Sequence, residues 1–315
     1  MEHPQVTQDY HDLPGLSHSR LKLLERSPII FKEKMDAGWP RDEDPESYHT
    51  EGDMIDKILL DYAAFKDTYV EQTWETPSSP NQLEFCQRVA GGEDPEQAYD
   101  ACYARNLKPE TLKTKATELL KQHSVYIGHL KNNDTRIPYS PSDGEMLMAI
   151  QTRALKHPWI SKLLEHDSRK THYIIQDELF DEPFKCEVDL LVQTKKALWN
   201  IDIKSTFDYL SNFPREYRKH GYGNQQSLYE TLLYCQQDKD LLPNLPIKTV
   251  CIAVSKRYPY EAGLFEVSDQ VLSRGWSWIK EQVQRYKYHK ENGFDFPPRT
   301  YEKGMEFIDV YNPNK

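Results

Sequence analysis

Residues 1–15 show no regular apolar spacing and read as irregular. From Leu16 the apolar positions recur at helical intervals. Leu16, Leu21 and Leu24 share one face, and Ser17 or Ser19 can cap the helix through a hydroxyl. Ser27-Pro28 breaks it, because the residue before a proline is pushed out of the helical region, and Ile29, Ile30 and Phe31 begin a second helical stretch. Residues 38–50 are polar and contain proline, which predicts a mobile loop. Gly52 to Phe65 predicts a helix with Met54, Ile55, Ile58, Leu59 and Tyr62 as its apolar face.

The texture changes over 77–135. Gln82 to Ala90 predicts a short helix, and Gly91-Gly92-Glu93-Asp94 a turn with a capping Asp. Pro95 suits a helix first turn, and Pro109 to Leu130 predicts a longer helix. Ser142 to Asp167 is helical in pattern, with Met146, Ile150, Ala154, Trp159, Leu163 and Leu164 apolar and an interruption at Pro158. The period then falls from 3.6 to 2. His172–Phe180, Phe184–Val192 and Ala197–Lys204 predict three strands joined by short turns, a mostly antiparallel ladder. Arg215–Cys235 predicts a long helix. Ile247–Ser255 is almost continuously apolar, as a strand buried on both faces requires. Ala262–Val267 predicts an edge strand, Val271–Lys290 a closing helix, and the chain from Gly293 a loop-rich tail.

Lys and Arg number 40 against 50 Asp and Glu, a net charge of −10 that argues against a sequence-blind basic nucleic-acid binder. It leaves room for a local basic strip and a carboxylate-rich metal site. No run of 18 apolar residues predicts a membrane span. The first residues have neither a basic nor an apolar signal region, so a cytoplasmic protein is expected. The five cysteines are scattered, with no CxxC pair for zinc or an iron–sulfur cluster, and suit buried thiols in a reducing compartment.

The chemistry concentrates between Glu187 and Tyr234. Asp189 sits among apolar neighbours in the second strand, and Asp202-Ile203-Lys204 lies on the third. Residues two apart on a strand share a face, so Asp202 and Lys204 point the same way. If the strands pair across the 193–196 turn, Asp189 comes within reach of Asp202. Two carboxylates this close repel unless a cation joins them. Mg²⁺ or Mn²⁺ would take both, with the Ile203 carbonyl as a further oxygen. Lys204 would orient or deprotonate a water and stabilise charge on a phosphate. The alternative is a set of cross-strand salt bridges without metal. In the following helix, Gln225 and Tyr229 share a face, with Arg215, Arg218, Lys219 and His220 upstream. Such a helix could line a DNA backbone; it could also be an ordinary amphipathic helix whose Tyr covers the core.

A strand Asp, then Asp-x-Lys, then Gln-x-x-x-Tyr resembles the PD-(D/E)xK nucleases of the RecB/RecE type, most closely the exodeoxyribonuclease VIII (RecE-like) domain of phages and prophages. Residues 16–22 with 27–32, the Gly52–Leu60 helix, Asp202-Ile203-Lys204-Ser205-Thr206, and Arg257-Tyr258-Pro259-Tyr260 with Gly263–Glu266 are similar to further motifs of that family. The resemblance implies an α/β restriction-endonuclease-like core, a central mixed sheet flanked by helices, with a small all-helical insert. The division expected is 1–76 (N-terminal helical part), 77–135 (insert), 136–300 (nuclease core) and 301–315 (tail). The family's metal-binding His is replaced here by Asp56, either an oxygen ligand or a solvated helix residue. The insert is itself similar to a helix-turn-helix of phage terminase small subunits.

The function implied is hydrolysis of phosphodiester bonds from DNA ends in phage recombination or replication. Asp189, Asp202 and Lys204 would be catalytic, and Gln225, Tyr229, Arg215, Arg218 and Lys219 would contact DNA, with Lys256 and Arg257 as further channel candidates. A single-strand annealing or other recombination protein is the expected partner, with homo-oligomers and no membrane. The rival readings are an endonuclease and a catalytically silent DNA- or protein-binding module.

Overall fold

Serine hydroxyls set the first two helices in the computed structural model, which describes residues 10–39, 47–103 and 107–294, without the side chains of 47–50. Ser17 Oγ accepts the Arg20 N–H at 3.3 Å and opens α1 (His18–Arg26). Ser27 ends α1, and its hydroxyl, accepting the Ile30 N–H, opens α2 (Pro28–Asp36). Leu21, Leu24 and Phe31 are buried. The next helix, α3 (Ser47–Leu60), starts before the expected Gly52, so 47–50 are helical rather than loop; 40–46 lie outside the described residues. Met54, Ile55, Ile58 and Leu59 are buried as the spacing predicts. That helix stops at Leu60, because Asp61 accepts the Ala64 N–H and starts α4 (Tyr62–Thr68) in a new phase. Tyr62 is therefore exposed, not on the apolar face.

The chain divides into two compact units, one formed by residues up to Leu60 and from Ile150 onward, the other by Asp61–Ala149. In the second, β1 (Tyr69–Glu71) precedes α5 (Pro80–Ala90), α6 (Pro95–Tyr103), α7 (Pro109–Gln122) and α8 (Ser124–Lys131). Phe85, Cys86, Val89, Ala98, Tyr99, Ala116, Leu119 and Ile127 form a core among these helices. Asp94 Oδ1 caps α6 by accepting the Glu96 and Gln97 N–H groups. The helix expected over 109–130 breaks at His123. After β2 (Ile137–Tyr139), which pairs in parallel with β1, come α9 (Pro141–Lys156) and α10 (Pro158–Leu164). The break falls at His157, whose Nδ1 accepts the Trp159 and Ile160 N–H groups at 3.3 Å. Trp159 is exposed rather than part of the apolar face, because that cap restarts the helical phase.

The remaining unit carries a five-stranded sheet in sequential order: β3 (Arg169–Leu179), β4 (Glu182–Gln193), β5 (Leu198–Thr206), β6 (Ile247–Ser255) and β7 (Ala262–Glu266). Only the β5–β6 pair is parallel. Its crossover contains α11 (Phe213–His220) and α12 (Tyr222–Asp238), the expected single helix being interrupted at Gly221, whose φ of 69° is left-handed. β6 is buried along its centre, as its apolar run requires. Helix α12 lies across β3–β6, and α13 (Asp269–Asn292) packs on α12 and α1. Ile175, Cys186, Val188, Leu228, Leu232, Leu233, Ile279 and Val283 make the shared core. The architecture is a restriction-endonuclease-like core, a mixed sheet flanked by helices. All five cysteines are free thiols, three of them buried. No described helix is long and apolar enough to cross a membrane. The expected tail lies outside the described residues after Phe294.

The N-terminal segment is pinned to this sheet. Leu16 pairs with Phe184 as a parallel bridge, and the buried Lys185 ammonium donates to the carbonyls of Tyr10, His11 and Leu13 at 2.7, 3.2 and 2.7 Å.

Helices α12 and α13 approach so closely that a methyl on Gly275 would stand 2.6 Å from the Gly223 carbonyl oxygen and 2.8 Å from Ser227 Cβ. Gly275→Ala is therefore expected to destabilise the protein by about 1–3 kcal/mol. Gly128→Ala, in α8 where an added methyl meets nothing within 4 Å, should raise stability by about 0.5–1 kcal/mol. Thermal denaturation of the two variants checks the contrast.

Candidate active site

Strands β4 and β5 pair through Leu190–Ile201 and then part. The next residues in that register, Asp189 and Asp202, face one another where the ladder stops. The freed Ile203 N–H donates to Asp189 Oδ2 at 2.7 Å, so a carboxylate replaces the missing backbone acceptor. From here β5 continues beside β6, with Asp202 opposite Cys251 and Lys204 opposite Ala253. Burial, then the neighbouring Asp202 carboxylate, pushes Asp189 well above the usual carboxylate range, against the pull of Lys204 and of the Ile203 N–H.

Asp202 is only 1% exposed. Lys204 Nζ donates to its Oδ1 at 2.8 Å and lies 3.4 Å from the Ile203 carbonyl. The predicted shared face of Asp202 and Lys204 is thus a direct ion pair. Burial works against the Lys204 ammonium, but Asp202 and Asp189 outweigh it and hold its pKa above the ordinary lysine value. Tyr222 presents its ring 5.1 Å from that ammonium. Gln225 Nε2 reaches Asp202 Oδ1 at 3.2 Å and the Tyr229 hydroxyl at 2.9 Å. Gln225 and Tyr229 are the pair expected to line a DNA backbone. The i, i+4 face they share turns inward, Tyr229 is buried in the core, and both bear on Asp202. Arg215, Arg218 and Lys219 do stand exposed on α11, whose Phe213 and Tyr217 are buried. Lys256, by contrast, is buried against Glu51 at 2.6 Å and under the Phe207 ring, and Arg257 stacks on Tyr209.

Asp56 on α3 joins the site from the other side. Its Oδ2 lies 3.5 Å from His172 Nε2, and His172 Nδ1 lies 3.0 Å from Glu187 Oε1. The motif resemblance left it between ligand and solvated residue; the structure places it 22% exposed and facing a histidine. Sequence reasoning missed His172 and Glu187. Their only signal was position, since His172 begins the first predicted strand and Glu187 precedes Asp189 by two. His18, at the start of α1, is near enough for the Lys204 charge to act on it: burial, then Lys22 and Lys204, lowers its pKa to about 3 and keeps the ring neutral.

No group of three or more His, Cys, Asp or Glu side chains forms a ready-made metal cage among the described residues. An Mg²⁺ site needs less, because one or two carboxylates suffice when water and phosphate complete the shell. Asp202 Oδ2 fits that role. It is buried, lies 2.7 Å from Lys204 Nζ, and has no hydrogen bond of adequate geometry. With Asp189, whose ionised form Asp202 disfavours, it makes an oxygen donor pair of the kind a divalent cation takes.

A family model described as "PDDEXK-like domain of unknown function (DUF3799)" matches residues 17–300. Among solved structures, a Eubacterium rectale protein provisionally named an exonuclease aligns with 87% of this chain and 97% of its own, at 13% identity and a TM-score of 0.39. No curated protein matches.

Burial raises the Asp56 carboxyl to about 6, against the opposing pull of His172 and Lys204. In the unfolded chain it ionises near 3.8. Between those values the folded protein keeps a proton that the unfolded chain has lost, so this group's contribution to stability falls as pH rises through the window. Asp56→Asn is therefore expected to stabilise the metal-free protein at pH 8, by about 1–3 kcal/mol, and to lose that advantage by about pH 4. Denaturation in EDTA at the two pH values measures it.

Proposed function

The chain belongs to the PDDEXK-like DUF3799 family, and from that premise we propose that it is a metal-dependent nuclease that hydrolyses DNA from its ends. The observation that carries the reading is the Asp189–Asp202–Lys204 cluster at the point where β4 and β5 part. Evenly paired strands offer no reason to bury two opposed carboxylates and an ammonium together.

In this reading Asp189 and Asp202 hold Mg²⁺ or Mn²⁺, with the Ile203 carbonyl beside them. The bound cation would polarise the scissile phosphate and lower the pKa of a coordinated water. Lys204 remains charged in its carboxylate surroundings, so it serves as a donor to developing negative charge rather than as a base. Gln225 holds one oxygen of Asp202, and the buried Tyr229 hydroxyl holds Gln225. They are positioning residues for the carboxylate. Arg215, Arg218 and Lys219 form an exposed cationic strip for phosphates on a chain that is acidic overall. The preference for ends, and a role in recombination, come from the motif resemblance.

The test is digestion of end-labelled linear duplex beside a closed circular plasmid, with Mg²⁺, with Mn²⁺ and with EDTA. Loss of the linear substrate alone is expected, abolished by EDTA and reduced roughly 100-fold or more by Lys204→Ala. Cutting of the circle would make the enzyme an endonuclease. No cutting of either substrate or of single strands, with both metals, would leave a silent binding module.

A further inference from the structure

We propose that His172 is a nitrogen ligand of the metal centre, paired with Asp56, and that Glu187 orients its ring. The inference deepens the metal-nuclease reading above and rests on it.

His172 sits on β3 directly across from Asp189. The flanking pairs Thr171–Leu190 and Tyr173–Val188 are formed, and the position between them is skipped. The skip has a backbone cause: His172 has φ 50°, in the left-handed region. A non-glycine residue there costs on the order of 1–2 kcal/mol, and a strand interior offers no local reason for it. The distortion accompanies a ring placed between two carboxylates.

The two ring nitrogens face different distances. Nδ1 lies 3.0 Å from Glu187 Oε1, a normal hydrogen bond in which Nδ1–H donates. Nε2 lies 3.5 Å from Asp56 Oδ2, too far for a good hydrogen bond. Two atoms bound to one cation at about 2.1 Å lie about 3.0–3.4 Å apart, close to the separation seen. A histidine that ligates a metal characteristically gives its other N–H to a carboxylate, which fixes the tautomer and leaves the second lone pair free. His172 has that arrangement, with Glu187 as the acceptor. The His172 side chain is 41% exposed and so open to an incoming ion.

The donor chemistry has a consequence for metal choice. Carboxylate and carbonyl oxygens alone suit Mg²⁺, whereas an imidazole nitrogen favours Mn²⁺ and later transition metals. The centre should therefore prefer Mn²⁺ to Mg²⁺, and His172 should be the reason.

Electron paramagnetic resonance of Mn²⁺ added to the full chain tests this without any turnover. Wild type is expected to bind Mn²⁺ with electron spin-echo modulation from a directly bound ¹⁴N. His172→Gln should lose that modulation and weaken Mn²⁺ binding by about 10-fold or more, with Mg²⁺ affinity far less affected. Glu187→Gln should keep the modulation and weaken Mn²⁺ binding by about 10- to 100-fold. Asp202→Asn identifies the Mn²⁺ that belongs to this site, and melting curves in EDTA verify that each variant folds. Mn²⁺ bound through Asp202 without ¹⁴N modulation in wild type, or with modulation persisting in His172→Gln, would overturn the proposal and leave the nuclease reading standing. Absence of Mn²⁺ binding in wild type would overturn both.

Discussion

The hydrogen bond from the Ile203 N–H to Asp189 Oδ2 is the contact on which the site depends. A β-ladder that ends inside a sheet leaves a backbone donor to be satisfied, and an unsatisfied one costs about 1–3 kcal/mol. Here a carboxylate meets that need. The same contact holds Asp189 opposite Asp202 despite their repulsion. Because β5 is then free of β4, its last residues align only with β6, and Lys204 is carried to where it neutralises Asp202.

The cluster survives because its surroundings are rigid. Asp202 stands opposite Cys251, in the stretch of β6 that is buried from Thr249 to Ser255, so it has little freedom to turn toward water. From above it is held by Gln225, and Gln225 by Tyr229, on a helix fixed by the glycine-to-glycine approach of α12 and α13. Burial and like charge raise Asp189 and Asp56 together. Like charge and burial of this kind cost stability unless a cation offsets them.

The divided α11–α12 crossover separates two tasks. Gly221 turns the chain between the helices, so α11 presents Arg215, Arg218 and Lys219 outward while α12 faces the sheet. A single continuous helix, as periodicity suggested, would have tied the basic strip and the Gln225–Tyr229 pair to one helical phase.

Local chemistry by itself determined the serine and aspartate caps, the strands of the sheet, the shared face of Asp202 and Lys204, and the pairing that brings Asp189 to them. Those features follow from periods of 2 and 3.6 and from side-chain-to-backbone bonds a few residues long. Motif resemblance added Asp56. Tertiary structure decided which way α12 turns, and so placed Tyr229 in the core with Gln225 between it and Asp202. It also brought in His172 and Glu187, because cross-strand neighbours depend on register, and a left-handed strand residue leaves no trace in hydrophobic patterning. His172 and Glu187 are partners on different strands, and no rule of local spacing encodes the distance between them.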